Sequence, residues 1–164
     1  MRRRKQRAYL SGGMEYANKE GADWRRELQR WIEENLGHSV FNPSDESVKF
    51  LARHYPDGNF RKLKTKDLGQ FTSLVRKIVD LDTREIARRS DYIVCFWDRS
   101  AQQGAGTKGE LTIAKFFGKP VYMVTRMNHA HIPAWILGCT THIFSSFTQL
   151  QQFLKDRYGN TKQR

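Results

Sequence analysis

Residues 91–125 read DYIVCFWDRSAQQGAGTKGELTIAKFFGKPVYMVT. An apolar run from Tyr92 to Trp97 stops at Asp98, and a glycine-rich loop follows. A helical segment then opens at Thr107, and a second apolar run covers Val121 to Val124. Neither run alternates with polar residues, which is the pattern of parallel strands covered on both faces. Strand, loop, helix and strand make one βαβ unit. Open parallel sheets bind ligands at the carboxyl ends of their strands. The loop 98–107 stands at such an end, and Glu110 sits one turn into the helix behind it.

Working upstream, Ala8 to Ser11 reads as a short strand that runs into Gly12-Gly13, a pair that permits close backbone approach to a ligand. Asp23 is placed to cap a helix over 24–36, with Trp24, Leu28, Trp31 and Ile32 inward and Gly37 ending it. Ser39 to Phe41 is a second strand, stopped by Asn42-Pro43. Residues 44–59 predict a short helix and a turn at Pro56-Asp57-Gly58, and 60–66 a basic loop. A longer helix over 68–89 has the stripe Val75, Ile78, Val79, Asp82, Ile86. A carboxylate on an apolar face is costly when unpaired, so Asp82 needs a partner or a task, unless the helix ends there and it reaches solvent.

Downstream, residues 128–133 form a loop carrying His129 and His131; no third ligand accompanies them, so they read as solvated. Trp135-Ile136-Leu137 is apolar and packs on the core or the ligand site. Thr141 to Phe144 is a last strand, and Ser146 caps a closing helix over 147–158 with Leu150, Phe153 and Leu154 inward. Five strands alternating with helices predict an α/β class: a flavodoxin-like or Rossmann-like doubly wound parallel sheet of order 2-1-3-4-5, with helices on both faces. The loops after Ser11 and Asp98 then meet at the switch point. The expected organisation is a basic arm at 1–7, one α/β domain at 8–158 and a frayed tail at 159–164.

The chain has 164 residues and a net charge of +12. Arg2, Arg3, Arg4, Lys5 and Arg7 crowd the start, and Arg61, Lys62, Lys64 and Lys66 form a second cluster. Such a balance is either a solvated surface with a loose arm or a match for a polyanionic partner or a phosphorylated substrate. No nucleic-acid motif is present, and the aromatics are not interleaved with the basic clusters. Cys95 and Cys139 are too few for a disulfide scaffold, and Cys95 lies in a predicted core strand, so a reducing, cytoplasmic setting is expected. The basic start has no apolar segment behind it, so no signal peptide is expected. No run approaches the roughly 18 apolar residues of a membrane span.

Three pieces converge on one crevice: the end of the first strand with Tyr9, Asp82, and the segment from Gly104 to Glu110. Thr107-Lys108-Gly109-Glu110 also fits a capping box, in which Glu110 would bond the Thr107 backbone. Gly104, Gly106 and Gly109 clear space around the helix start, whose free N–H groups suit an anion such as phosphate. Lys108, Gly12 and Gly13 are candidate phosphate contacts. Two carboxylates and a tyrosine without a metal cluster point to chemistry at a glycosidic carbon.

The set Tyr9-Leu10-Ser11-Gly12-Gly13-Met14, then Asp82 with Ser90-Asp91-Tyr92-Ile93-Val94, then Gly106-Thr107-x-x-Glu110 with Ala114 and Gly118-Lys119-Pro120-Val121, resembles the nucleoside 2-deoxyribosyltransferase family. That superfamily includes the 2'-deoxynucleoside 5'-monophosphate N-glycosidases. The resemblance implies that Glu110 is the nucleophile, that Tyr9 orients it and that Asp82 assists the departing base. One extra residue before Asp91 leaves Asp80 as a substitute for Asp82. The family's aspartate ahead of the glycines has no direct match: Gly104 stands nearest, and Asp98 is the acid at hand. Substrate contacts are then expected from Gly12, Gly13, Met14, Asp98, Gly104, Gly106, Thr107 and Lys108. The resemblance further implies a nucleoside or nucleotide substrate, no cofactor or metal, and a homo-oligomer with sites near subunit contacts. Two other readings compete: a module that holds a nucleotide without cleaving it, and a nucleic-acid-associated protein that uses the arm.

Overall fold

The computed structural model describes residues 5–56 and 58–159. Arg2, Arg3 and Arg4 of the expected arm, Asp57 of the expected turn and the tail from residue 160 lie outside them. The apolar runs form strands β1 (Arg7–Gly12), β2 (Ser39–Phe41), β3 (Tyr92–Phe96), β4 (Val121–Val124) and β5 (His142–Phe144). All pairs are parallel, and the order is β2-β1-β3-β4-β5, as the alternation of elements predicts. The helices between them are α1 (Ala22–Leu36), α2 (Pro43–His54), α3 (Leu63–Lys66), α4 (Leu68–Arg88), α5 (Arg99–Gln103), α6 (Gly106–Phe116), α7 (Ala134–Cys139) and α8 (Phe147–Tyr158). No described helix is long and apolar enough to cross a membrane.

Successive strand residues face opposite ways, and that alternation builds two cores. One face buries Tyr9, Phe41, Ile93, Cys95 and Met123 against Ile86 of α4, Leu111 and Ala114 of α6 and Ile136 of α7. The other buries Ala8, Leu10, Tyr92, Val94, Tyr122 and Val124 against Leu28 and Ile32 of α1 and Leu150 and Leu154 of α8. Trp24 and Trp31 pack on this second core while remaining partly exposed. Trp135 is mostly exposed and donates Nε1–H to Thr112 Oγ1 at 2.9 Å. Cys95 and Cys139 are free and buried.

Several boundaries differ from expectation, each for a local reason. Asp23 does not cap α1. The helix starts at Ala22 behind Gly21, whose φ of 69° is one that glycine adopts without strain. Gly37 ends it at φ 65°. The basic segment 60–66 is not a loop: a 3-10 turn, Phe60–Lys62, runs into α3, with the Asn59 side chain accepting from Arg61 N. Asp67 then caps α4 through Gln70 N. The loop 98–107 contains α5, capped by Asp98, whose carboxylate accepts from Ala101 N at 3.0 Å and Ser100 Oγ at 2.6 Å. His129 and His131 sit in an exposed 3-10 turn. Ser146 caps α8 as expected, accepting from Gln149 N.

Candidate active site

Tyr9 and Ser11 are two residues apart on β1 and project from the same face of the sheet. α6 crosses that face and brings Glu110 to both. Tyr9 Oη–H donates to Glu110 Oε1 at 2.7 Å, and Ser11 Oγ–H donates to Oε2. Both carboxylate oxygens are therefore held by side chains from the neighbouring layer. The capping box does not form: α6 begins at Gly106 after Ala105, without a side-chain cap.

α4 continues through Asp82 to Arg88, so the helix does not release this carboxylate to solvent at its end. Asp82 instead lines the cavity that Glu110 lines, a space of about 490 Å³ at the carboxyl end of β1. Gly12, Gly13, Met14, Gly104, Gly106 and Thr107 line it too. Lys108 and Asp98 are not among the described lining residues; Asp98 lines a separate cavity, and its Oδ1 accepts both bonds of the α5 cap. Asp80 is exposed and off the cavity wall, so of the two candidate acids it is Asp82 that faces Glu110's cavity.

Gly12 and Gly13 line the cavity, and Gly13 also lets α5 pack closely on the end of β1. A Cβ on Gly13 would stand 1.9 Å from Ser100 Oγ and 2.8 Å from Ala101 N. Any side chain at Gly13 would push β1 and α5 apart. Gly106 and Gly109 have open space where a Cβ would lie, consistent with their place on the cavity wall.

Burial raises the Asp82 carboxyl from its ordinary 3.8 to about 8, and the nearby Glu110 charge adds to the rise. Burial also raises Glu110, but the bonds from Ser11 and Tyr9 and the charge of Arg25 oppose it by favouring the ionised form. Both acids are raised; Asp82 holds a proton at neutral pH, and Glu110 is the one that carries donors favouring its ionised form. Burial, then the Glu110 charge, keeps the Tyr9 phenol protonated.

Arg25 is the residue the sequence conceals best. It is 1% exposed, and its guanidinium donates to Gly12 O at 2.8 Å and Gly21 O at 3.0 Å, with longer bonds to Glu20 O, Gly13 O and Leu10 O. A helical arginine usually reads as surface, yet it lies three residues before Leu28 and seven before Ile32, on the buried stripe. The signal for Ser11 is its spacing of two from Tyr9, which puts both on one face of a strand. Phe60, Arg61, Lys64 and Phe71 form another wall; the basic cluster marks Arg61 and Lys64 in the sequence, but with no hydrophobic period before α4 nothing there places them on the cavity.

The fold and site define a doubly wound α/β protein with a carboxylate, held by a tyrosine and a serine, at the mouth of its switch point. Among solved structures it is similar to the 2-deoxyribosyltransferase of Bacillus psychrosaccharolyticus, with a TM-score of 0.58 and 16% identity over 88% of this chain and 90% of that one. It is also similar to the Clostridium botulinum CMP N-glycosidase BcmB, with a TM-score of 0.54 and 17% identity over 93% of this chain and 99% of that one. At these identities the likeness establishes a shared fold. No protein-family model matches the chain, and no curated protein sequence matches it.

Proposed function

We propose that this chain cleaves or transfers at the N-glycosidic bond of a (2'-deoxy)nucleoside or its 5'-monophosphate through a covalent glycosyl-enzyme on Glu110. The observation that carries this reading is the pairing, across one cavity, of a doubly held carboxylate with an acid raised to about 8. The two structural neighbours, named as a deoxyribosyltransferase and a CMP N-glycosidase, support it.

In the first step a Glu110 oxygen forms a bond to C1' as the C1'–N bond breaks. The bonding pair leaves with the base nitrogen, which takes the Asp82 proton. Tyr9 and Ser11 fix the rotamer of Glu110 so that a lone pair faces the sugar. In the second step water, or the nitrogen of another base, attacks C1' and gives its proton to the Asp82 carboxylate, and Glu110 is released. Gly12, Gly13, Met14, Gly104, Gly106 and Thr107 shape the substrate's bed. The chain works as a homo-oligomer in this reading: Tyr16 and Val79 line the cavity yet are 48% and 54% exposed, an apolar rim that a second copy would cover. Sedimentation showing only monomer at assay concentration would remove that part.

The deciding experiment follows free base by chromatography from a panel of nucleosides and nucleotides, with and without an acceptor base. Glu110→Ala should lower base release by roughly 10⁴-fold or more, as loss of a nucleophile does, and intact-mass spectra of the parent should show a sugar adduct that the variant lacks. A folded variant with parental activity would dismiss the nucleophile. Base release by neither protein would leave a nucleotide-binding module.

A further inference from the structure

Four charged residues on the cavity wall take no part in the chemistry above. Arg61 Nε donates to Glu20 Oε1 at 2.7 Å, and Lys64 Nζ donates to Glu15 Oε1 at 2.9 Å. The cations come from the segment before α4 and the glutamates from the loop after β1, so each pair bridges the two segments at the cavity wall. Resting on the nucleoside reading of the cavity, we infer that Arg61 and Lys64 bind the 5'-phosphate of a nucleoside monophosphate, with Glu20 and Glu15 standing in for that anion when the site is empty.

Charge is the first reason. Among the described residues lining the cavity, Arg61 and Lys64 are the cations, set against the carboxylates of Glu15, Glu20 and Glu110. A phosphate entering without them would meet like charge alone. The second reason is backbone strain. Lys19 and Glu20 have φ of 47° and 51°, the left-handed region that side-chain-bearing residues avoid. Arg25 holds them there through Glu20 O and Gly21 O. Partly exposed ion pairs contribute little net stability, less than two such residues cost. A strap for stability alone therefore does not account for a loop strained so that Glu20 meets Arg61, whereas a pre-formed anion site does. The third reason is exchangeability. A guanidinium carries five N–H donors and binds phosphate through two at once, so a dianion displaces a single carboxylate contact. Arg61 also lies 5.0 Å over the Phe60 ring, and Phe60 stacks on Phe71, which limits how far the guanidinium swings.

The test is calorimetric titration of Glu110→Gln, which binds without turnover, with the four common 2'-deoxynucleoside 5'-monophosphates and the matching free deoxynucleosides. The monophosphate is expected to bind at least tenfold tighter than its nucleoside. Adding Arg61→Gln, or separately Lys64→Gln, should collapse that ratio toward one. Adding Glu20→Gln breaks the same ion pair from the other side and should keep or raise it. A ratio near one before any wall substitution, or a fall with Glu20→Gln equal to that with Arg61→Gln, overturns the phosphate assignment and leaves a strap. Binding of neither ligand by Glu110→Gln or by the parent overturns the nucleoside reading itself. Thermal melts of each variant identify any that is unfolded, and Lys64→Gln then replaces Arg61→Gln.

Discussion

The two faces of the sheet use tyrosine hydroxyls in opposite ways. On the face covered by α1 and α8, Tyr122 Oη and Tyr158 Oη share a hydrogen bond at 2.8 Å, and Tyr92 Oη meets His38 Nδ1 at 3.0 Å. Burial lowers His38 from its ordinary value, so the imidazole there stays neutral. On the face covered by α4 and α6, Tyr9 gives its proton to a hydrogen bond with a carboxylate, and a second carboxyl lines the same cavity. A neutral hydroxyl pair costs little to bury once bonded, while an ionised carboxylate costs far more. One face is thus built to be held together, and the other keeps charges it would be more stable without. The open crevice lies on the second.

Asp82→Asn makes the sharpest test of that contrast. The reaction needs protonated Asp82, so the parental rate should fall as pH rises past about 8. Without the acid, base release should drop by roughly 10²- to 10⁴-fold, and the alkaline limb should vanish. Stability should move the other way. The folded pKa lies above the unfolded one, so the native state binds the extra proton, and the parent loses stability as pH climbs from 3.8 towards about 8. The asparagine variant has no such loss. Across that window it should gain on the parent by at most about 1.4 kcal/mol for each pH unit crossed. Parallel pH–stability curves in urea titrations would show that Asp82 is not buried as described.

Tyr9→Phe comes next, with an expected loss of about 10- to 100-fold from a misdirected Glu110. The lost bond favoured the ionised form, so the acid limb of the rate profile should move to higher pH. An unmoved limb would mean that Tyr9 only packs. Tyr122→Phe on the opposite face should leave the rate untouched and cost about 1 kcal/mol in urea unfolding. Equal rate losses from the two phenylalanine variants would erase the distinction between the faces.

How much of this is legible in the sequence varies with the range of the interaction. The strands, their order, the caps at Ser146 and Gly37 and the stripe that singles out Asp82 are written in local periods and turn residues. The 60–66 segment has no period, so its basic cluster is visible there, but α3 and the place of Arg61 and Lys64 on the cavity wall are not. Asp98 reads as a ligand contact because a lone acid beside glycines gives no sign that a five-residue helix will consume it as a cap.

Residue order within short windows is enough for a doubly wound parallel sheet and for a glutamate one turn into the helix behind its third strand, because hydrophobic period and helix-start chemistry act within a few residues. What that glutamate bonds is set only in the packed molecule. Thr107 is three residues away and Tyr9 a hundred and one, yet Tyr9 holds it. A carboxylate takes the donor nearest in space, and the crossing of α6 over β1 makes that donor a phenol from the far end of the chain.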